Sequence, residues 1–206
     1  MTSPADTESP PASADQSATP GSVRGLSNDE ATAEWRADLT TRSGVTFHVR
    51  PAKPGDEEKL ADFFLHVSSE DIYRRFLTGL IEVDRERLRA MARDDDLQSI
   101  DFLALDENSN IIATAMLSAD ADFEIGEFAL CTRQDRKHQG VSWTLLGHLI
   151  RYAQAKGLRK IRSIESWDDR AALQLEGEMG FDLRHDPDDS TLMIAEKTLI
   201  AKDRTA

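Results

Sequence analysis

Cys131 is the only cysteine among 206 residues, so no disulfide can form within the chain and a cysteine-based zinc site has too few ligands. No apolar run approaches the roughly 18 residues that cross a bilayer. Met1–Pro20 has neither a basic start nor an apolar stretch, so it does not read as a secretory signal. Basic residues are few, 25 against 38 acidic ones, and the net charge is −13. A field of that sign repels nucleic acid and anionic membranes, and no local basic patch is large enough to reverse it. Both partners are therefore not expected. GxxxxGK[ST] and GxGxxG are also missing, which removes the common phosphate loop and the dinucleotide fingerprint. His48, His66, His148 and His185 lack metal-ligand spacing and read as structural or exposed, so no metal is expected. The chain reads as soluble and cytoplasmic, and is long enough to bury a core without a staple.

The first compositional block is residues 1–43. Pro4, Pro10, Pro11 and Pro20 lie among Ser, Thr, Ala and Asp with hardly a large apolar residue. Such a segment buries too little surface to offset its ordering entropy, so a disordered or weakly structured leader is expected, with a short helix around Ala31–Ala37. From residue 44 onward the texture is that of one domain. Val45–Val49 alternates in the strand period. Gly55-Asp56-Glu57-Glu58 places acids at a helix start, and Leu60, Phe63, Phe64 and Val67 form that helix's apolar face. Asp71–Leu77 and Arg85–Ala92 read as further helices. Ile100–Leu105, Ile111–Leu117 and Phe123–Cys131 read as strands, with turn residues between them. Val141–Lys156 is an amphipathic helix closed by Gly157. Lys160–Glu165 and Leu192–Thr198 read as strands around a helix over Asp169–Met179. The pattern predicts an α/β (α+β) domain, a mixed sheet with helices against it.

Residues 127–143, EFALCTRQDRKHQGVSW, carry the most chemistry. A strand ends near Cys131, a loop holds Arg133, Arg136 and Lys137, and a helix opens after Gly140. Free N–H groups at a helix start, beside a glycine and three cations, suit an anion of diphosphate type. A solvated basic turn is the plain alternative. Trp143, Leu145, Leu146, Leu149 and Tyr152 read as the buried face of the helix. Cys131 reads as a packed, inert thiol. The aspartates at 94–96 and at 186, 188 and 189 read as solvated runs.

The segment Lys137-His138-Gln139-Gly140-Val141-Ser142 between strand and helix resembles motif A of the GNAT acetyltransferases. Ser166-Trp167-Asp168-Asp169-Arg170-Ala171-Ala172-Leu173, followed by Met179-Gly180-Phe181, is similar to the family segment that flanks the pantetheine arm. Phe47–Pro51, Gly55-Asp56-Glu57 and Tyr73-Arg74-Arg75-Phe76 resemble the branch containing bacterial protein lysine acetyltransferases. The resemblance spans about residues 45–200. It implies a GNAT-like acyl-CoA acyltransferase fold, acetyl-CoA as co-substrate, and an amine acceptor, a small molecule or a protein lysine. By the same resemblance Leu130, Thr132, Lys137, His138, Gln139, Gly140, Val141, Ser142 and Asp169 bind the cofactor.

The chain departs from the family pattern at several positions. Lys137 stands where Arg or Gln is usual, His138 where many members have Gly, Ser142 for a smaller residue, and Asp169 for Asn. Glu176 takes the place of a tyrosine that many members use to protonate the departing thiolate. By the same resemblance Glu127 is the candidate general base, since it lies in the strand before the loop where related lysine acetyltransferases carry their catalytic glutamate; a cationic amine must lose a proton before attacking a thioester. Glu124 and Glu165 are the fallbacks. The rival reading is an acyl-CoA-binding sensor or regulatory module without catalysis.

Overall fold

Period-two alternation and the turns between strands build most of the molecule. The computed structural model describes residues 25–26, 34–76 and 83–199. Among them, eight strands form one sheet: β1 (Ala37–Thr40), β2 (Thr46–Pro51), β3 (Ser99–Leu105), β4 (Ile111–Ala119), β5 (Ile125–Thr132), β6 (Lys160–Ser166), β7 (Asp182–His185) and β8 (Leu192–Thr198). Their order is β1-β2-β3-β4-β5-β6-β8-β7. Every neighbouring pair is antiparallel except β5 with β6.

Helices cover both faces. On one lie α1 (Glu57–Leu65), α2 (Ser69–Phe76) and α3 (Arg85–Met91); on the other lie α4 (Val141–Lys156) and α5 (Arg170–Glu178). β3 shows the consequence in its sequence. Ile100, Phe102 and Ala104 point into the α4 core, while Leu103 and Leu105 point into the α1–α3 core. A strand buried on both faces reads as a continuous apolar run. In the α4 core Tyr152 and Phe102 meet edge-to-face at 5.0 Å, and His148 packs on Phe102 at 5.1 Å. Burial chiefly, with Arg151 adding to it, pushes the His148 ring down to about 4, so it is a neutral core residue.

The N-terminal expectation needs correction. Glu34 and Trp35 form a turn, and Ala37 begins a strand where a helix was expected. β1 pairs with β2 from Ala37–Val49 to Thr40–Thr46, so the domain begins inside the block taken as leader. The physical reason is tertiary: Trp35 packs edge-on against Tyr152 and His148, at 5.0 and 5.6 Å between centroids. Leu26 is fully buried, and its carbonyl accepts the Tyr152 hydroxyl. Met1–Gly21, also expected to be disordered, lies outside the described residues, as does Leu77. A smaller correction concerns β5, which starts at Ile125. Phe123 has φ of 55°, and Asp120 Oδ1 accepts the amides of Glu124 and Ile125, so a turn occupies the expected first residues. No helix among the described residues is long and apolar enough to cross a membrane.

The short pairing of β5 with β6 positions the cavity. β5 and β6 pair only over Ile125–Lys160, Gly126–Ile161 and Glu127–Arg162, and then diverge. Gly126 sits in this short zone, where any larger residue would force its neighbours to shift. A Cβ there would come within 2.8 Å of both Leu117 Cδ1 and Leu158 Cδ1.

Candidate active site

Past Glu127 the β6-facing edge of β5 has no strand partner, and a cavity of about 550 Å³ opens between the two strands. Its wall comes from both faces of the sheet: Arg75 and Phe76 from α2, Ser142 and Trp143 from α4, Ala172 and Glu176 from α5. The cavity is thus a slot through the sheet, with backbone along one side and helix starts at its rim.

At one end stands the loop between β5 and α4. His138 has φ of 62° and Gly140 φ of 80°, so the chain turns twice through the left-handed region before the helix. That explains why His138 stands where a glycine is favourable. No side chain caps α4, which leaves the first-turn amides to an outside acceptor. Thr41 crowds Gly140 from behind: a Cβ there would lie 3.3 Å from Thr41 Cβ. The hydroxyls of Ser142 and Thr132 bond at 2.9 Å and tie the helix start to the end of β5. Lys137 Nζ donates to Asp71 of α2 at 2.6 Å, Arg136 to Asp106 at 3.4 Å, and Arg133 to Asp135 at 3.0 Å.

Leu130, Thr132, Lys137, His138, Gly140, Val141, Ser142 and Asp169 all lie on the cavity wall. Gln139 does not: its side chain donates to the Asp135 carbonyl at 3.1 Å, folding back over the loop. Asp169 is occupied twice. It caps α5 by accepting the Ala172 amide at 3.1 Å, and it lies 3.5 Å from Arg74 of α2. Trp143 belongs to this rim and not to the core, half-buried with the Arg42 guanidinium 4.6 Å from its ring centre. The α2 wall is not legible in the sequence because its contacts to the loop and to α5 join residues more than sixty positions apart; the Arg-Arg pair is the one signal.

At the other end stand carboxylates. Glu127 lines the cavity at the last β5–β6 pair, and Arg162 Nη2 donates to its Oε2 at 3.3 Å. Glu165 of β6 and Glu176 of α5 line it too, with Ser163 donating to Glu176 Oε1 at 2.5 Å. Burial, then the nearby Glu176 and Asp169, push the Glu165 carboxyl well above the usual range. Glu176 is pushed up as well, chiefly by burial, with the Ser163 bond working against the rise. Glu124 is off the cavity wall and faces Arg159 at 3.3 Å, so it drops out as an alternative base. Cys131 is buried, and burial raises its thiol to about 12, which leaves it unreactive. Among the described residues no group of three or more His, Cys, Asp or Glu could hold a metal ion.

The chain resembles known proteins in sequence and in shape. Residues 66–181 match the family model of the acetyltransferase (GNAT) family. An acetyltransferase of Pseudomonas aeruginosa is 31% identical over 149 residues, covering 71% of this chain and 80% of the relative. Among solved structures, the GNAT domain of S. lividans PAT superposes with a TM-score of 0.75 at 23% identity, over 81% of this chain and 98% of that one. Spermidine N-acetyltransferase from Vibrio cholerae, solved with CoA and spermine, gives 0.62 at 16% identity, over 74% of this chain and 95% of that one.

Proposed function

The chain belongs to the GNAT acetyltransferase family, and on that premise we propose that it moves the acetyl group of acetyl-CoA to a cationic amine by direct attack, with Glu127 as general base. The enzyme class is an acyltransferase acting on an amine. The observation that carries the finer reading is the slot itself, which joins an uncapped helix start at one end to a row of carboxylates at the other.

The residues fit acetyl-CoA. The α4 amides, the left-handed turns at His138 and Gly140, and Lys137 make a concave cradle for a diphosphate. The unpaired edge of β5 offers backbone groups to the amides of a pantetheine arm running along Phe128–Leu130. Ala129, Ala172 and Leu175 give that arm apolar walls. Volume agrees: about 550 Å³ lies within the ordinary size of a ligand site.

The chemistry follows from where the carboxylates sit. An alkyl ammonium has a pKa near 10.4, so at neutral pH almost all of the acceptor is protonated. Glu127, directly or through one water, takes that proton and leaves a nucleophilic amine beside the thioester. Arg162 holds the carboxylate at the strand's last paired position. The amine then attacks the carbonyl carbon. Backbone N–H groups on the free edge of β5 stabilise the oxyanion, and the C–S bond breaks. The acidic surface of a chain of net charge −13 attracts a cationic acceptor, whether a polyamine, an aminated antibiotic, a peptide N-terminus or a protein lysine.

Calorimetry with acetyl-CoA and with CoA tests the cradle, and thiol release across a panel of those four amine classes tests the reaction. We expect binding of both cofactor forms and release with at least one class. Binding without any release selects a sensor or regulatory module. Absence of binding removes the reading altogether.

A further inference from the structure

Arg74, Arg75, Arg136 and Lys137 line the slot, and three of them already donate to a carboxylate: Arg74 to Glu70 at 2.7 Å, Arg136 to Asp106 at 3.4 Å and Lys137 to Asp71 at 2.6 Å. Arg75 differs. Its side chain is 5% exposed and its Nε is buried without a hydrogen-bond partner. Asp101 Oδ1 stands 3.9 Å from Nη2, beyond hydrogen-bond reach, and is itself buried and unpartnered. Burial raises the Asp101 carboxyl to about 7, with Arg75 working against the rise, so Asp101 is a weak counter-charge near neutral pH. A buried guanidinium held so loosely is poorly satisfied until a second acceptor arrives.

The sheet fixes which side of the slot Arg75 serves. Phe128 points into the α4 core and Cys131 into the α1–α3 core, so Glu127, Ala129 and Cys131 share the α1–α3 face. Asp101 lies on that face too, in step with Leu103 and Leu105. The ladder aligns Asp101 with Met116 and Ala129, and Glu127 comes one step further along, opposite Ser118. Two residues along the strands and two strands across them separate the Asp101 and Glu127 Cα atoms by about 12 Å. The diphosphate cradle is built by the first turn of α4, on the other face. The Arg75 guanidinium therefore faces the acceptor's half of the slot and not the phosphates of the donor.

Resting on the acetyl-transfer reading above, we propose that the acceptor is an amino acid, whose carboxylate docks on Arg75 while its ammonium meets Glu127. The planar fork of an arginine takes a carboxylate through two parallel hydrogen bonds. A polyamine or a lysine side chain offers that fork nothing. The interval suits a short molecule: the two side chains and two polar contacts of about 3 Å fill most of it, which leaves room for an amine and a carboxylate a few bonds apart. Such an acceptor is a zwitterion, so the net charge of −13 neither draws it in nor repels it. Arg75 then supplies the discrimination that the general acidity of the surface cannot.

The test is thiol release by the full chain with glycine, β-alanine, γ-aminobutyrate and larger α-amino acids, each beside its carboxamide. Spermidine and a lysine-containing peptide amide serve as acceptors without a nearby carboxylate. At least one amino acid is expected to exceed its carboxamide in kcat/KM by about 10–10²-fold, chiefly through KM, as the loss of a charge-assisted pair implies. Arg75→Gln should erase that preference and leave acetyl-CoA affinity, read by calorimetry, near wild type. Asp101→Asn removes the competing charge, so at mildly alkaline pH, where Asp101 is ionised, it should lower the KM of the preferred amino acid. This second variant stands in for an Arg75→Gln protein that fails to fold. Carboxamides used as well as their acids, or an Arg75→Gln protein that keeps the preference, overturns the assignment. Weakened acetyl-CoA binding in Arg75→Gln overturns it too, because Arg75 then serves the donor, and so does an unmoved or raised KM in Asp101→Asn. Wild type active on spermidine or the peptide but on no amino acid overturns this inference alone; wild type inactive on every amine overturns it together with the acetyl-transfer reading.

Discussion

Starting the chain at Ser43 should destabilise it substantially, although composition makes the preceding block look dispensable. The truncation removes Leu26, whose side chain is completely buried, a loss of about 1.5–3 kcal/mol of burial. It strips the partner from the Tyr152 hydroxyl, which lies in a fully buried residue. An orphaned buried donor costs about 1–3 kcal/mol. Trp35 and the four-residue strand β1 go as well. The combined loss of about 3–6 kcal/mol is a large part of the ~5–15 kcal/mol that holds a domain folded. For a chain of this length it corresponds to a fall in melting temperature of about 10–20 °C. Differential scanning calorimetry of the full and truncated chains reads it directly. Leu26→Ala isolates the first contribution and should cost about 2–5 kcal/mol. Truncation that leaves the midpoint within about 3 °C of the full chain would refute the reasoning.

Glu127→Gln should keep acetyl-CoA affinity near normal and lower turnover about 10²–10⁴-fold, with the loss shrinking as pH rises and more acceptor is already neutral, as a thiol-release pH series would record. Gly140→Val should weaken acetyl-CoA binding in calorimetry, because φ of 80° strains a β-branched residue and its side chain meets Thr41. Gly126→Ala should cost about 1–3 kcal/mol in denaturant unfolding, since the added methyl meets two leucines at 2.8 Å. Asp56 is raised by burial, but two bonds from Arg50, each 2.6 Å, and one from the Lys53 amide outweigh this and hold its carboxyl below the usual range. A lowered folded value means stability present above the unfolded value near 3.9 and lost as pH falls through the folded one. Asp56→Asn should therefore cost about 3–5 kcal/mol at neutral pH, with the gap to wild type closing in that acidic range.

Much of the fold was readable because local signals agreed with it. Val141–Lys156 forms the helix over the residues expected, bounded by two glycines that both adopt positive φ. Leu60, Phe63 and Phe64 bury together as helical spacing requires, and Val67, expected on the same helix face, joins that core from the turn after the helix ends at Leu65. β1 was not readable. Ala37-Asp38-Leu39-Thr40 has one large apolar residue, and only pairing with β2 and the docking of Trp35 make it a strand. The loop and Glu127 could be singled out because they are contiguous along the chain. The opposite wall could not, since Asp71 meets Lys137 across 66 positions and Arg74 meets Asp169 across a still longer gap. Glu176 drew attention as a substitution, but its burial beside Glu165 exists only after β6 and α5 come together.

The three loop cations each already face an aspartate: Arg133 with Asp135, Arg136 with Asp106, and Lys137 with Asp71. Seen from a distance, the cradle is therefore close to neutral on a molecule of net charge −13. An approaching polyphosphate meets repulsion first and favourable amides only at contact. On the proposed reading, capture by long-range steering is given up, and selectivity moves to the last few ångströms, where Lys137 would exchange its aspartate for a phosphate. Added salt screens the repulsion and leaves the exchange almost untouched. Encounter between this enzyme and an anionic donor should accordingly speed up with ionic strength, the reverse of the behaviour of a basic cleft.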